Sequence, residues 1–182
     1  WRMSNKKVPM LNRHIRALSE RLVQGEPLTH NMLSWAKQHV EWSLAEGDYT
    51  ACDGVLMLVI DVNGNAAMTV GEYEPLTDTS AKALRARSAE ARSEADETGV
   101  APELLAAVDN GELAFVAPAD ECLCGTATLI EQLAQTKGIP VTRVDIPAQL
   151  KGALFLVSDE HGVVPATETD AAEADAATVA FF

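Results

Sequence analysis

The sequence predicts an α+β (mixed α/β) protein of two domains, a small one over residues 1–79 and a mostly β one over residues 80–182 that carries a helix. Three observations point there. Apolar residues recur at three-and-four spacing through the first 46 positions, the mark of amphipathic helices. Two pairs of short apolar runs then close around Asn63-Gly64 and Asp109-Asn110-Gly111, residues that accept the positive φ of tight hairpin turns. Between these pairs, a segment rich in Pro, Gly, Thr and Asp over residues 71–79 gives way to Ala, Arg and Glu, which marks a domain boundary.

Taken in order, residues 1–8 read as a short strand or arm. Leu11, Ile15, Leu18 and Leu22 define a first helix with Gly25 past its end. A second helix follows Pro27, with Leu28, Met32, Ala36, Val40 and Leu44 on one face, Trp35 and Trp42 widening it, and Gly47 behind the last turn. Residues 55–60 and 66–70 form a hairpin. Residues 80–97 hold strong helix formers with little apolar stripe beyond Leu84, which suits a solvated helix or a linker. Residues 104–108 and 113–116 form a second hairpin, a helix runs over 126–137 and stops at Gly138, and residues 141–146, 154–157 and 163–167 are extended. The Ala- and acid-rich stretch 168–177 is helical or disordered, with Phe181 and Phe182 docked if ordered.

The chain has 182 residues, 47% of them hydrophobic, and a formal net charge of -13. That charge excludes nucleic acid and anionic membrane as partners, since both are gripped by a surplus of Lys and Arg. No apolar run nears the roughly 20 residues that span a bilayer. Three cysteines give no disulfide framework, so a cytoplasmic location is expected. Cys122-x-Cys124 lacks the second pair a zinc site needs and reads as buried thiols, while His30 and His39 stand too far apart for one metal. There is no nucleophile elbow, phosphate-binding lysine loop or dinucleotide fingerprint.

The sharpest local signal lies at Gly125. It admits close backbone approach, and Thr126, Ala127 and Thr128 follow with the unpaired amides of a helix start, where the helix dipole favours an anion such as phosphate. The plainer alternative is that Thr126 or Thr128 only caps the helix.

Gly125-Thr126 is followed by Gly138-Ile139-Pro140-Val141, a bend over 146–150, an apolar strand over 153–157 and His161-Gly162-Val163-Val164-Pro165. In that order these parts resemble the carboxy-terminal portion of the class IV (fold type IV) pyridoxal-phosphate enzymes, the branched-chain aminotransferase and aminodeoxychorismate lyase family. Trp1-Arg2 with Leu11, Arg13 and His14 resembles that family's opening arm and first helix. Glu74-Pro75-Leu76-Thr77-Asp78-Thr79 resembles the close of its small domain, and residues 108–118 resemble the hairpin before its phosphate helix.

The resemblance implies a two-domain homodimer with pyridoxal 5'-phosphate between the domains. It implies amino-group transfer between an amino acid and a 2-oxo acid, or elimination of pyruvate from aminodeoxychorismate. Lys82 would form the aldimine and shuttle protons, Glu97 would face the pyridine nitrogen, and the Thr126 and Ala127 amides would cradle the phosphate. Ser158 falls in the family's second phosphate loop. The family's phosphate-gripping Arg is replaced by Ala17, and Arg16, displaced by roughly 100° around the helix, is the nearest substitute. Ser158 is followed by Asp159 and Glu160, acids that would repel a phosphate if they faced it. The family normally has a further strand and turn between Lys82 and Glu97 and another stretch before Lys82; neither is recognisable here, so either the protein is a shortened relative or the given chain omits mobile loops, the true catalytic lysine among them. Lys82 as a surface residue, Glu97 as a solvated helix-end acid and Arg16 as a solvated cation are the structural alternatives. At the level of function the alternatives are a non-catalytic homodimeric relative without the cofactor, and a binding domain whose likeness is accidental.

Overall fold

The computed structural model describes residues 1–23, 25–47, 49–60, 65–168 and 171–182, which form two compact units, Trp1–Pro75 and Leu76–Phe182. The architecture is the mixed α+β one the sequence predicts. Among the described residues no helix is long and apolar enough to cross a membrane.

In the first unit, strands β1 (Arg2–Met3), β4 (Gly54–Ile60) and β5 (Ala66–Gly71) pair antiparallel in the order β1-β4-β5. The β4–β5 hairpin pairs Leu56 with Val70 and Leu58 with Met68, while its turn at Asn63-Gly64 lies outside the described residues. Helices α1 (Leu11–Ser19) and α2 (His30–Glu46) accompany this sheet, and Met3, Val8, Val40, Leu44 and Leu56 form the core. Thr29 caps α2, its hydroxyl accepting from the Met32 amide at 3.3 Å.

Two expectations fail in this unit. Leu22 does not extend α1. The helix stops at Ser19, and Leu22 stands 64% exposed in a small antiparallel ribbon, β2 (Leu22–Val23) with β3 (Glu26–Pro27), which reverses at Gly25 with φ +83°. β-branched Val23 suits extended chain, and the positive φ at Gly25 suits the reversal between the two strands. Trp35 and Trp42 do not widen the buried face of α2 either; they are 44% and 61% exposed. Ala36, Val40, Ser43 and Leu44 fill the inward stripe, and each indole lies outside that arc. Trp35 stacks on His39 at 4.8 Å, and the Trp42 indole N–H donates to Glu46 at 2.8 Å.

The second unit opens on a helix rather than a linker. In α3 (Ala81–Thr98), the Ser80 hydroxyl accepts from the Ala83 amide, Gly99 ends the helix at φ +70°, and Leu84, Ser88 and Ala91 form the buried stripe. A five-stranded sheet follows in the order β10-β9-β6-β7-β8, built from β6 (Leu104–Asp109), β7 (Glu112–Val116), β8 (Val141–Val144), β9 (Ala153–Ser158) and β10 (Gly162–Pro165). Its pairs are antiparallel except β7 with β8, which helix α4 (Gly125–Lys137) connects as a crossover. Asn110 and Gly111, at φ +51° and +76°, make the β6–β7 turn.

β6 and β9 are buried on both faces. Ala106, Val108, Phe115 and Phe155 pack with Ala127, Ile130 and Ala134 of α4 and with Val179 of α5 (Glu173–Phe181). Leu105, Ala107, Leu154 and Leu156 pack with Leu84 of α3 on the opposite face. The sheet is thus the middle of three layers. The last helix resolves part of the acidic stretch as ordered, held by buried Val179 and by Phe182 against Phe155 at 6.3 Å. Its buried Asp175 accepts from the Asn110 and Gly111 amides, both at 3.0 Å, which ties α5 to the hairpin turn. β8 is shorter than expected, and Ile146 is 53% exposed beyond it.

Candidate functional site

The start of α4 is positioned from both sides. Upstream, the loop leaving β7 is pinned by two arginines. Arg92 donates to both Glu121 carboxylate oxygens and to the Val116 carbonyl, and Arg143 donates to the carbonyls of Pro118, Ala119 and Glu121. Downstream, the turn after β9 (residues 159–161) comes alongside, so residues more than 30 positions apart meet.

What they build is an anion seat that already holds an anion. The Gly125 amide donates to Asp159 Oδ2 at 3.3 Å, and the Thr126 amide and hydroxyl both donate to Asp159 Oδ1 at 2.8 Å. Cys124 is the capping residue, its sulfur accepting from the Ala127 amide at 3.4 Å. This thiol is buried, and burial with the nearby Asp159 charge pushes its pKa far up, so it stays protonated. The Thr128 amide bonds the Cys124 carbonyl as an ordinary helical bond.

Behind the seat lies a second polar cluster that centres on Glu103. Its side chain accepts from Arg87 Nε and, at 2.8 Å, from the hydroxyl of Ser158, which is 2% exposed. His161 Nε2 stands 3.6 Å from the same carboxylate. Ser158 in turn accepts from the Glu160 and His161 amides at 3.0 and 3.2 Å, and the Ser88 hydroxyl donates to the Glu103 carbonyl. The carboxylate beside it raises the Arg87 guanidinium pKa above its ordinary value, chiefly through their hydrogen bond.

Of the residues singled out in the sequence, the structure brings together Thr126, Ala127 and Ser158 and leaves Lys82 and Glu97 apart. Lys82 is exposed in the first turn of α3 and Glu97 is exposed in its last. They stand fifteen positions apart on one continuous helix, roughly 22 Å at about 1.5 Å per residue. Arg16 is exposed on α1 in the first unit, two positions after His14, which is buried and stacked on Trp1 at 5.2 Å. Thr126 faces the seat with amide and hydroxyl, the Ala127 amide serves the cap, and Ser158 is turned to Glu103. Of the two acids, Asp159 faces the seat, while the Glu160 carboxylate lies 3.9 Å from His161 Nε2. Glu103 and Arg87 were not singled out. Among the described residues no cluster of His, Cys, Asp and Glu could hold a metal ion.

No family model and no curated protein matches the chain. Solved structures do. One described as a putative 4-amino-4-deoxychorismate lyase superposes over 100% of this chain and 86% of its own, with a TM-score of 0.62 at 16% identity. A fold IV-transaminase from Curtobacterium pusillum matches over 98% of this chain and 81% of its own, with a TM-score of 0.59 at 16% identity.

The chain has the fold of the fold-IV transaminases.

A Mycobacterium tuberculosis aminotransferase solved in a PLP-bound form shares this fold at a TM-score of 0.58 and 12% identity, over 98% of this chain and 84% of that one. Pyridoxal phosphate is therefore the group to test against the residues at hand, and they do not fit it. None of the six lysines, Lys6, Lys7, Lys37, Lys82, Lys137 and Lys151, is buried. Lys82 and Glu97 cannot address opposite sides of one pyridine ring from the two ends of one helix. The helix start that would cradle the phosphate holds a carboxylate of the same sign.

Proposed function

We propose that this protein is a non-catalytic relative of the fold-IV transaminases, one that keeps the fold without using the cofactor. The observation that supports this reading is the placement of Lys82 and Glu97 at opposite, exposed ends of α3. An aldimine-forming amine and an acid at the pyridine nitrogen must act across one small ring, and two side chains reaching from points roughly 22 Å apart do not span that separation. A homodimer, which the family resemblance implies, belongs to the same proposal. So does a cytoplasmic location, which the three free cysteines fit.

A second reading has a specific observation in its favour. The likeness to transaminases extends over 98–100% of this chain, and one of those structures is PLP-bound. On that reading the protein is a pyridoxal-phosphate aminotransferase or aminodeoxychorismate lyase-like enzyme, acting on a small amino or oxo acid with Lys82 as its aldimine lysine.

One experiment separates the two. The purified protein is mixed with pyridoxal phosphate, scanned for a visible aldimine band, reduced with borohydride and mapped by peptide mass. The expected result is weak labelling spread over the exposed lysines. A stoichiometric adduct on one lysine, lost in Lys82→Ala, would establish the enzyme reading instead. Sedimentation velocity on the same sample tests the homodimer.

A further inference from the structure

We infer that Asp159 is the resident anion of the α4 amino terminus and that it closes this seat to phosphate. The inference deepens the non-catalytic reading but stands on a different part of the molecule, the β9–β10 turn and the helix start rather than α3.

A helix amino terminus presents donors and partial positive charge that an anion satisfies. Here each donor of the first turn is committed within the chain. The Gly125 amide and the Thr126 amide and hydroxyl go to Asp159, the Ala127 amide goes to the Cys124 sulfur, and the Thr128 amide goes to the Cys124 carbonyl. A phosphate could bind there only by displacing the carboxylate or lying beside it, and like charges at contact repel strongly where water is partly excluded.

Displacement is opposed by the way Asp159 is presented. The preceding Ser158 is buried, donates to Glu103 and accepts from the Glu160 and His161 amides, so both flanks of Asp159 are fixed. Glu103 is itself held by Arg87 of α3. The turn thus sends successive side chains to opposite sides, Ser158 to Glu103 and Asp159 to the helix start. Thr126 is also buried, so its hydroxyl needs an acceptor from within the protein, and Asp159 Oδ1 supplies one.

The test uses the intact protein and its Asp159→Ala and Asp159→Asn variants, with inorganic phosphate as the probe and sodium chloride at matched ionic strength as the control. Thermal midpoints and the ¹H–¹⁵N resonances of Gly125 and Thr126 are followed. For the wild type, phosphate is expected to leave both amides and the midpoint where chloride leaves them. Asp159→Ala is expected to lower the midpoint by roughly 5 °C or more, the scale for losing a charge-assisted hydrogen bond in a domain of this size. Phosphate, but not chloride, is then expected to recover a good part of that loss and to shift both amides. If Asp159→Ala does not fold, Asp159→Asn, which loses the charge but keeps a carbonyl acceptor, is read by the phosphate response of its Gly125 and Thr126 amides rather than by its midpoint.

Wild-type amides that respond to phosphate as the variants do would overturn the inference. So would an Asp159→Ala protein that melts with the wild type, or one whose lost stability phosphate does not recover. The outcome is separable from that of the lysine mapping. A lysine adduct with phosphate-silent wild-type amides would defeat the non-catalytic reading and leave Asp159 as the resident anion. Phosphate-responsive wild-type amides without an adduct would do the reverse.

Discussion

Replacing Glu103 by alanine removes the acceptor that joins α3 to the end of β9. Glu103 is 12% exposed, Arg87 is 38% exposed, and Ser158 is 2% exposed. Because Arg87 keeps substantial contact with water, losing its charged partner costs about 1 kcal/mol. Ser158 cannot turn to water, and a buried hydroxyl left without its acceptor costs about 1–3 kcal/mol. Glu103→Ala is therefore expected to destabilise the Leu76–Phe182 unit by about 2–4 kcal/mol. Glu103→Gln keeps a carbonyl acceptor for Ser158 and loses only the charge, so it should cost about 1 kcal/mol. Urea unfolding followed by far-UV circular dichroism measures both. An unfolding free energy for Glu103→Ala within about 0.5 kcal/mol of the wild type, or a Glu103→Gln as damaging as Glu103→Ala, would refute this role of Glu103.

Three further outcomes follow from the same structure. Gly152→Ala should destabilise far more than Gly138→Ala: both glycines have positive φ, but a Cβ at 152 would stand 2.2 Å from the Val108 carbonyl oxygen, whereas at 138 nothing among the described residues beyond its chain neighbours lies within 4 Å. The Gly138 change should cost about 1–2 kcal/mol by the same urea assay, and equal costs would refute the close approach. Asp175→Ala should speed hydrogen exchange at the Asn110 and Gly111 amides and cost about 1–3 kcal/mol, since both amides lose their acceptor; unchanged exchange would show that α5 does not clamp the turn. The Asp78 carboxyl is held below its ordinary 3.8 by the Ser80 amide and then the Ser80 hydroxyl. A depressed folded-state pKa contributes stability above the unfolded value that is lost as pH falls through the folded one. Helicity of α3 should therefore weaken on acidification below about pH 4, and Asp78→Asn should flatten that dependence in a circular dichroism titration.

Much of the fold was legible because its signals are local. A two-residue hairpin turn of type I′ needs positive φ at both of its central residues, so Asp109-Asn110-Gly111 marks the β6–β7 hairpin wherever the rest of the chain lies. Gly138 likewise marks the end of α4 at φ +72°. The failures lie where two local choices were nearly equal. Apolar spacing shows that α2 is amphipathic, but it does not decide whether the stripe of Val40 and Leu44 or the neighbouring indoles of Trp35 and Trp42 face the sheet. Spacing alone carried α1 on to Leu22, while the reversal at Gly25 and the pairing of β2 with β3 drew that residue into a ribbon.

The candidate site divides along the same line. Gly125 followed by Thr126 points, from sequence alone, to a helix start whose free donors are met either by an anion or by a capping side chain, because the four orphan amides of a helix are a property of the backbone. Which anion sits there was decided only by the tertiary structure. Asp159 lies more than 30 residues away, and its charge by itself says only that it would oppose a phosphate. Whether it faces the helix depends on Ser158 being drawn the other way to Glu103, which in turn depends on α3 delivering Arg87. Helix donors arise from the local peptide geometry, whereas the acceptor that satisfies them comes from a three-layer packing that no run of adjacent residues specifies.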